Sequence, residues 1–225
     1  MDERRSREAW RVLRIQSELV DGIEHLATLG PSVTIYGSAR LGPESIYYGQ
    51  AKELARRFGD AGLNVLTGGG PGIMQGANEG AFGTDGCSIG LNIKLPHEQG
   101  ANKYQDLSLD FRYFFVRKLM FVKHAVGFVV FPGGYGTMDE LFEALTLVQT
   151  GKTRPFPIVL IGRDFWGGLV DWMHQVMRAG HGCIGDDDMA LFEVTDSVEH
   201  AFNLVYENFQ RIQEADQRDN LPATV

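Results

Sequence analysis

At residues 126–137 the chain has the sequence VGFVVFPGGYGT, in which an unbroken apolar run is followed directly by a glycine-rich turn. A continuous apolar run such as 126–131 is typical of a central strand in a parallel sheet, which is buried on both faces. The turn leads into residues 138–149, which have a helical pattern. The stretch therefore predicts a strand, a tight turn and a helix, the repeating unit of α/β folds.

The same arrangement recurs on both sides of this stretch. Further strands are predicted at 33–36, 63–66, 87–93, 157–161 and after 191. Further helices are predicted at 45–61, 113–124 and 165–179, together with one that follows the 68–72 turn and ends at 81 and a final one that ends at 209. This alternation predicts a Rossmann-like α/β fold, a doubly wound parallel sheet with helices on both faces, in a single domain. Residues 94–107 have no clear period and are predicted to form a long loop. Ligands of such sheets bind at the carboxyl ends of the strands, where the glycine-rich turns at 37, 68–72 and 133–136 fall.

Two terminal segments flank this nucleotide-binding domain, which is predicted to span 31–210. Residues 1–30 are predicted to form an amphipathic helix, because apolar residues recur at steps of three or four: Val12, Ile15, Leu19, Ile23 and Leu26. Three apolar residues fall off this stripe and indicate an interface with another subunit: Trp10, Leu13 and Val20. Residues 211–225 are predicted to be a C-terminal tail.

The composition excludes several classes of partner. The chain has 225 residues and a net charge of −8, whereas binding to a nucleic-acid polymer needs a basic face. It has no signal-peptide core and no run of roughly 18 apolar residues, so a cytoplasmic protein without a membrane partner is predicted. Cys87 and Cys183 lack disulfide or metal spacing and are expected to be reduced. A small anion fits as a ligand, because one local pocket can be positive.

The glycine-rich turn at 133–137 has the features of a phosphate site. Glycines let backbone N–H groups point inward without Cβ clashes, and the N-terminus of the next helix adds a positive partial charge. Thr137 can add a hydroxyl group. The alternative is a plain strand-to-helix reversal in which Thr137 and Glu140 form a capping box, since Thr-x-x-Glu is that pattern.

Glu140 lies close to one helical turn after Thr137, so its carboxylate is predicted to face whatever the turn binds. Near a helix N-terminus this carboxylate is expected to stay ionised. An anion beside the C1′ atom of a sugar can stabilise an oxocarbenium-like transition state or orient an attacking water. Asp139 and Glu143 are controls, because they occupy other positions on the same helix.

A basic pair, Arg117-Lys118, lies inside a largely apolar helical stretch. Arginine offers a planar fork that suits phosphate or a carboxylate, and lysine offers a point charge. The alternative is that both side chains simply face solvent.

A second glycine-rich turn at 68–72 lacks the G-x-G-x-x-G spacing of dinucleotide-binding proteins, because Gln75 occupies the last glycine position. An NAD(P)-dependent oxidoreductase is therefore disfavoured. The turn is interpreted as a nucleotide turn with Asn78 as a polar contact, and the alternative is a tight turn that binds nothing. No metal is predicted, because the histidines lack ligand spacing and Asp186-Asp187-Asp188 is typical of a solvated loop.

These residues resemble the Lonely Guy family, the cytokinin riboside 5′-monophosphate phosphoribohydrolases, whose signature is P-G-G-x-G-T-x-x-E with an upstream Arg-Lys. Both parts match, at 132–140 and 117–118, and the resemblance covers roughly residues 31–180. It implies hydrolysis of the N-glycosidic bond of adenine-type nucleoside 5′-monophosphates, cytokinin nucleotides or AMP, to free base and ribose 5-phosphate. No metal or organic cofactor is implied.

The resemblance also implies roles for individual residues. Arg117 and Glu140 would be catalytic, and the nucleotide would be held by Gly37, Ser38, Asn78, Glu98, Lys118, Gly133, Gly134, Tyr135, Gly136, Thr137 and Thr146. A homo-oligomer, dimer or larger, is implied as well. Some relatives are named lysine decarboxylases, an activity that needs a Schiff-base lysine on pyridoxal phosphate, for which Lys118 is the only candidate near the motifs. The alternative function is a non-catalytic carrier or sensor of a nucleotide or phospho-ligand.

Overall fold

The computed structural model describes residues 3–94 and 100–219. Within these ranges seven strands form one sheet: Ser32–Tyr36 (β1), Asn64–Thr67 (β2), Ser88–Ile93 (β3), Leu107–Phe111 (β4), Ala125–Val130 (β5), Ile158–Ile161 (β6) and Glu193–Thr195 (β7). Their order is β4-β3-β2-β1-β5-β6-β7, and all neighbouring strands are parallel. The predicted Rossmann-like sheet is confirmed.

The helices lie on both faces of the sheet. They are Glu3–Ala27 (α1), Ile46–Asp60 (α2), Ile73–Ala81 (α3), Phe114–Lys123 (α4), Tyr135–Gln149 (α5), Arg163–Trp172 (α6) and Val198–Asp219 (α7), with a π-helix over Met173–Gly180 and a 3₁₀ helix over Asp187–Leu191. One core cluster joins the sheet to α2, α3 and α7. The other joins it to α1, α4, α5 and α6. Each face of the sheet is thus covered by apolar residues from helices, as the apolar strand sequences require.

The strand order reverses between β1 and β5. Tyr36 pairs with Val130 in register, and beyond the strands the amide of Ser38 donates to the carbonyl oxygen of Pro132 at 2.9 Å. Two connections leave this point in opposite directions, one from Gly37 and one from Gly133. A crevice at such a switch point is where open α/β sheets bind ligands.

Helix α1 docks on the domain through its second half. Leu26 is buried, and Ile15, Leu19 and Ile23 pack partly buried against the same core cluster, whereas Val12 is exposed. The Glu18 carboxylate accepts hydrogen bonds from the amides of Arg112 and Tyr113, which satisfies two N–H groups at the start of α4. The predicted stripe is confirmed from Ile15 onward, and an interface at the exposed Trp10, Leu13 and Val20 stays a prediction.

Several element boundaries differ from the sequence-based prediction. Strand β4 was missed, although the alternation in Leu107-Ser108-Leu109-Asp110-Phe111 matches a strand with one buried face. Helix α5 begins at Tyr135 instead of 138, so the turn is only Pro132-Gly133-Gly134. Helix α7 continues to Asp219, beyond the predicted domain end at 210. None of the helices within the described ranges combines the length and the apolar character that a bilayer span requires.

Candidate active site

The turn after β5 leaves an uncapped helix N-terminus open to ligands. Gly134 is the N-cap of α5 and makes no side-chain capping bond, so the first N–H groups of the helix lack both helical and side-chain acceptors. A Cβ atom at Gly133 would collide with the Oγ1 atom of Thr137, whereas Gly134 and Gly136 have open space beside them. The capping-box alternative is wrong, because Thr137 lies inside the first helical turn and Thr137 is not the N-cap. An anion is the natural ligand of such a terminus.

Arg117 on α4 and Glu140 on α5 meet directly behind this turn. The Nη2 atom of Arg117 lies 3.6 Å from the Oε1 atom of Glu140, and only 12% and 8% of the two side chains are exposed. The guanidinium also stacks over Phe114 and Phe121, 5.3 and 5.6 Å from the ring centroids. Its Nη1 atom donates to the carbonyl oxygen of Leu91 at 3.5 Å. The sequence named both residues as catalytic, and the structure brings them together as a nearly buried pair.

Burial dominates the electrostatics of Glu140. Desolvation raises the pKa of Glu140 to about 7, while Arg117 and then Lys118 act to lower it. The expectation that this carboxylate stays ionised is therefore wrong at neutral pH, because the loss of hydration outweighs the effect of the neighbouring cations. Burial also lowers the pKa of Arg117, and Glu140 opposes that shift. A carboxyl group that titrates near neutral pH can both accept and release a proton.

Glu140→Gln is expected to stabilise the folded protein above neutral pH. The folded chain holds the Glu140 proton with a pKa of about 7, against an ordinary value of 4.5, so the free energy of unfolding falls as the pH rises through this interval. Glutamine carries no charge at any pH, so the free energy of unfolding of the variant does not fall over this interval. At pH 8 the variant should exceed the wild type by about 3 kcal/mol, because each pKa unit of the interval corresponds to about 1.4 kcal/mol. Urea unfolding at pH 4 and pH 8 measures the difference.

Asp139→Asn is the matched control for this measurement, because 59% of the Asp139 side chain is exposed. We expect no comparable gain in stability from it at pH 8. The same gain for Glu140→Gln at both pH values would contradict the raised pKa of Glu140.

Lys118 points away from the Arg117–Glu140 pair. Its ammonium group lies 2.8 Å from Asp139 and 2.7 Å from Glu143, and these bonds raise the pKa of Lys118 although burial alone would lower it. It lines a surface groove of about 610 Å³ between α4 and α5, together with Phe115, Tyr135, Met138, Asp139, Phe142, Glu143, Thr146 and Leu147. Thr146, another predicted contact, is exposed in this groove and donates to the carbonyl oxygen of Phe142. The two controls, Asp139 and Glu143, thus hold Lys118.

Two other predicted contacts, Gly37 and Ser38, join the ends of the strands. A Cβ atom at Gly37 would collide with the side chain of Ile73, so glycine allows α3 to approach β1. The carbonyl oxygen of Ser38 accepts from the amide of Ile73 at 3.0 Å, and its hydroxyl group accepts from the amide of Arg40 at 3.1 Å. Both residues fix the crevice at the switch point.

Asn78 does not reach the crevice, and its prediction as a direct ligand contact is wrong. The residue is fully buried. Its Oδ1 atom accepts from Thr67 and Asn102 at 2.6 and 2.9 Å, and its Nδ2 atom donates to Ser88 at 2.9 Å. A buried amide with these partners has no capacity left for a substrate. The sequence could not separate a buried polar residue from a ligand contact on the same helix. The predicted contact Glu98 lies outside the described residues.

Two residues near the crevice were missed by the sequence. The side-chain amide of Asn102 donates to the carbonyl oxygens of Gly69 and Gly70, both at 3.0 Å, and so holds the second glycine turn. No signal marked it, because residues 94–107 have no period. Tyr36 ends β1 beside the Arg117–Glu140 pair and is buried. Its position directly before the Gly37-Ser38 turn was the available signal.

A family model described as "Possible lysine decarboxylase" matches residues 74–205, more than half of the chain, including Arg117-Lys118 and the 132–140 motif. The chain belongs to this family, the Lonely Guy family. It is 31% identical over 156 residues to a Mycobacterium tuberculosis cytokinin riboside 5′-monophosphate phosphoribohydrolase, covering 67% of this chain and 81% of the relative. It is 27% identical over 189 residues to a Fusarium pseudograminearum bifunctional cytokinin biosynthesis protein, covering 74% of this chain. The match spans only 38% of that relative's length.

Solved structures share the fold of this Lonely Guy family member. The Moco carrier protein from Chlamydomonas reinhardtii superposes with a TM-score of 0.57 and 22% identity, over 81% of this chain and 99% of that one. At this identity the likeness shows the α/β architecture alone. A sequence relative of the chain is thus named for hydrolysis, and a protein that shares its fold is named for carriage.

Proposed function

We propose that the protein hydrolyses the N-glycosidic bond of adenine-type nucleoside 5′-monophosphates and releases free base and ribose 5-phosphate. The observation that carries this proposal is the nearly buried Arg117–Glu140 pair, in which Glu140 lies between one and two helical turns along α5 from its uncapped, glycine-lined N-terminus. Relatives named for this reaction support it. A homo-oligomer is part of the same proposal.

The 5′-phosphate is proposed to bind at the N-terminus of α5. Free N–H groups at Gly134, Tyr135 and Gly136 supply donors, and the helix dipole favours the negative charge. Glu140 lies four to six residues beyond these N–H groups, or about 6–9 Å along the helix at 1.5 Å per residue, which is a suitable reach for a group acting on the sugar of the same nucleotide. This arrangement directs the C1′ atom toward Glu140.

In the proposed reaction, the bond between C1′ and the base nitrogen breaks and its electron pair leaves with the base. The positive charge that develops on the sugar is stabilised by the Glu140 carboxylate. A water molecule adds its oxygen to C1′ and passes a proton to Glu140, and a proton from the acid form returns to the base. A pKa of about 7 suits Glu140 for both steps near neutral pH. Arg117 keeps a fraction of this carboxylate ionised and orients it.

The lysine decarboxylation named by the family model does not fit these residues. That reaction needs a lysine whose neutral amine can form a Schiff base with pyridoxal phosphate. Lys118 is the candidate, and its ammonium is held by Asp139 and Glu143, which favour its charged form. No step of the proposed mechanism uses this cofactor.

A carrier or sensor of a phospho-ligand is the second candidate, because solved structures with this fold include a molybdenum cofactor carrier protein and a molybdenum cofactor binding protein. Such a protein would need the phosphate turn but not a buried carboxyl group that titrates at neutral pH. Incubation with AMP or an N6-substituted analogue, followed by chromatography, separates the two. Release of free base supports the hydrolase, and tight binding without release supports the carrier.

Gly136→Asp tests the phosphate site. The new carboxylate would lie in the first turn of α5, where it interacts favourably with the helix dipole but repels a phosphate dianion. We expect the KM for AMP to rise about tenfold or more, equivalent to about 1.4 kcal/mol, with no loss in the melting temperature. Gly136→Ala is the control, because the space beside Gly136 is open, and its KM should stay near that of the wild type. Equal KM values for both variants would place the phosphate elsewhere.

A further inference from the structure

Tyr36 is a buried polar residue that the proposed reaction does not use. It is the last residue of β1, and only 6% of its surface is exposed. Its ring packs edge-on against Phe121 and Phe128, with centroids 5.1 and 5.4 Å away. Its hydroxyl group is buried and has no hydrogen-bond partner within the described parts of the chain.

A buried hydroxyl group without an acceptor is unusual, because it loses its bonds to water and gains none in exchange. Phenylalanine would make the same ring contacts with Phe121 and Phe128 without that loss. The hydroxyl group at Tyr36 therefore points to an acceptor that it meets in another state of the protein.

The charged groups around Tyr36 identify this acceptor. Phe121 contacts both the Tyr36 ring and the Arg117 guanidinium, so Tyr36 borders the Arg117–Glu140 pair. Burial raises the pKa of Tyr36 well above its ordinary value, Glu140 raises it further, Arg117 lowers it and Glu143 raises it. The phenol thus stays protonated at neutral pH and is a hydrogen-bond donor. Glu140 is the acceptor buried beside it.

We propose that Tyr36 is a positioning residue for Glu140, to which its hydroxyl group donates a hydrogen bond when the Glu140 carboxylate is ionised. Arg117 lies 3.6 Å from Glu140, longer than a normal hydrogen bond, so the carboxylate retains acceptor capacity. Donation from the Tyr36 hydroxyl group would fill this capacity and give the phenol its missing acceptor. The phenol would then stabilise the charged form and hold it toward C1′.

The other charged groups that act on Glu140 do not supply this bond. They are Lys118 from α4 and Asp139 and Glu143 from α5. Lys118 is engaged by the two carboxylates at 2.8 and 2.7 Å. Besides the Nε atom of Arg117, which already belongs to the pair, the Tyr36 hydroxyl group from β1 is a buried donor near Glu140 without an acceptor among the described residues. Its effect on turnover rests on the proposed function, whereas its effect on the ionisation of Glu140 does not.

Tyr36→Phe tests the kinetic effect. It keeps the ring and removes only the hydroxyl group. We expect the midpoint of the pH–rate profile for base release from AMP to move up by about one pH unit, and kcat at pH 7 to fall roughly five- to tenfold, with an unchanged KM. Tyr47→Phe is the control, because the Tyr47 hydroxyl group already donates a hydrogen bond to Asp164 on α6. A lower kcat with an unmoved midpoint would overturn the proposal, since a merely structural role predicts that result.

A second measurement needs no turnover. The melting temperatures of Glu140→Gln and its parent are compared from pH 4 to pH 9, in the wild-type background and in the Tyr36→Phe background. If Tyr36 stabilises ionised Glu140, the gain from Glu140→Gln at high pH is larger in the Tyr36→Phe background. Identical gains in both backgrounds would overturn the proposal. A larger gain with no base released from AMP by the wild type would retain it and reject the hydrolase.

Discussion

Glu140→Gln is expected to lower kcat for base release from AMP by roughly 10²- to 10⁴-fold, the range over which a positioned proton-transfer group accelerates a reaction. Glutamine has nearly the same shape, but it can neither accept a proton from water nor offset positive charge at C1′. The KM should change little, because the phosphate turn is untouched. Adenine release in single-turnover and steady-state assays at pH 7 measures the effect.

Asp139→Asn is the matched control on the neighbouring helix position, since its carboxylate is exposed and pairs with Lys118 on the outside of α5. Its kcat should stay within a few-fold of the wild type. Turnover of Glu140→Gln at the wild-type rate would remove Glu140 from the mechanism. Combined with a normal fold, it would leave the carrier as the remaining function.

Arg117→Met is expected to lower kcat at pH 7 by at least about 100-fold and to move the pH–rate midpoint upward. Arg117 lowers the pKa of Glu140 against the effect of burial, so its removal leaves a carboxyl group that ionises at higher pH. Methionine retains much of the volume packed between Phe114 and Phe121. The full pH–rate profile is the measurement, because partial recovery of the rate at high pH distinguishes lost charge from lost structure.

Arg117→Lys separates charge from geometry in the same experiment. Lysine restores the positive charge but not the planar fork that bonds to the Leu91 carbonyl and stacks on the rings. We expect its midpoint to lie near that of the wild type and its kcat to stay low. A wild-type midpoint in Arg117→Met would show that this guanidinium does not control Glu140.

Most of the fold could be predicted from the sequence, because apolar periodicity and glycine turns are local signals. The central strand over 126–131 and its turn were located to within one residue of β5. The edge strand β4 was missed because its five residues follow a loop without a period. The start of α5 at Tyr135 was also missed. Glycine has a low helix propensity, so the glycines around this position do not predict a helix, and the helix there is imposed by the fold.

The candidate site was predicted in part. The motif named Arg117 and Glu140, and the structure brings them within 3.6 Å. The sequence could not show that the Asn78 amide bonds to Thr67, Asn102 and Ser88, because all three partners lie outside α3. Whether a buried polar group finds hydrogen-bond partners depends on the assembled core, and the sequence of a single helix does not reveal it.

By itself, the sequence determined the parallel α/β sheet and the glycine turn at the end of β5, and its motif pointed to Arg117 and Glu140 as catalytic candidates, because each signal lies in residues close together in the chain. Only the tertiary structure decided that Glu140 is buried, that its pKa is about 7 and that Lys118 faces an outer groove. The physical reason is desolvation: the cost of a charge depends on how much water the neighbouring elements exclude, and those elements come from distant parts of the chain.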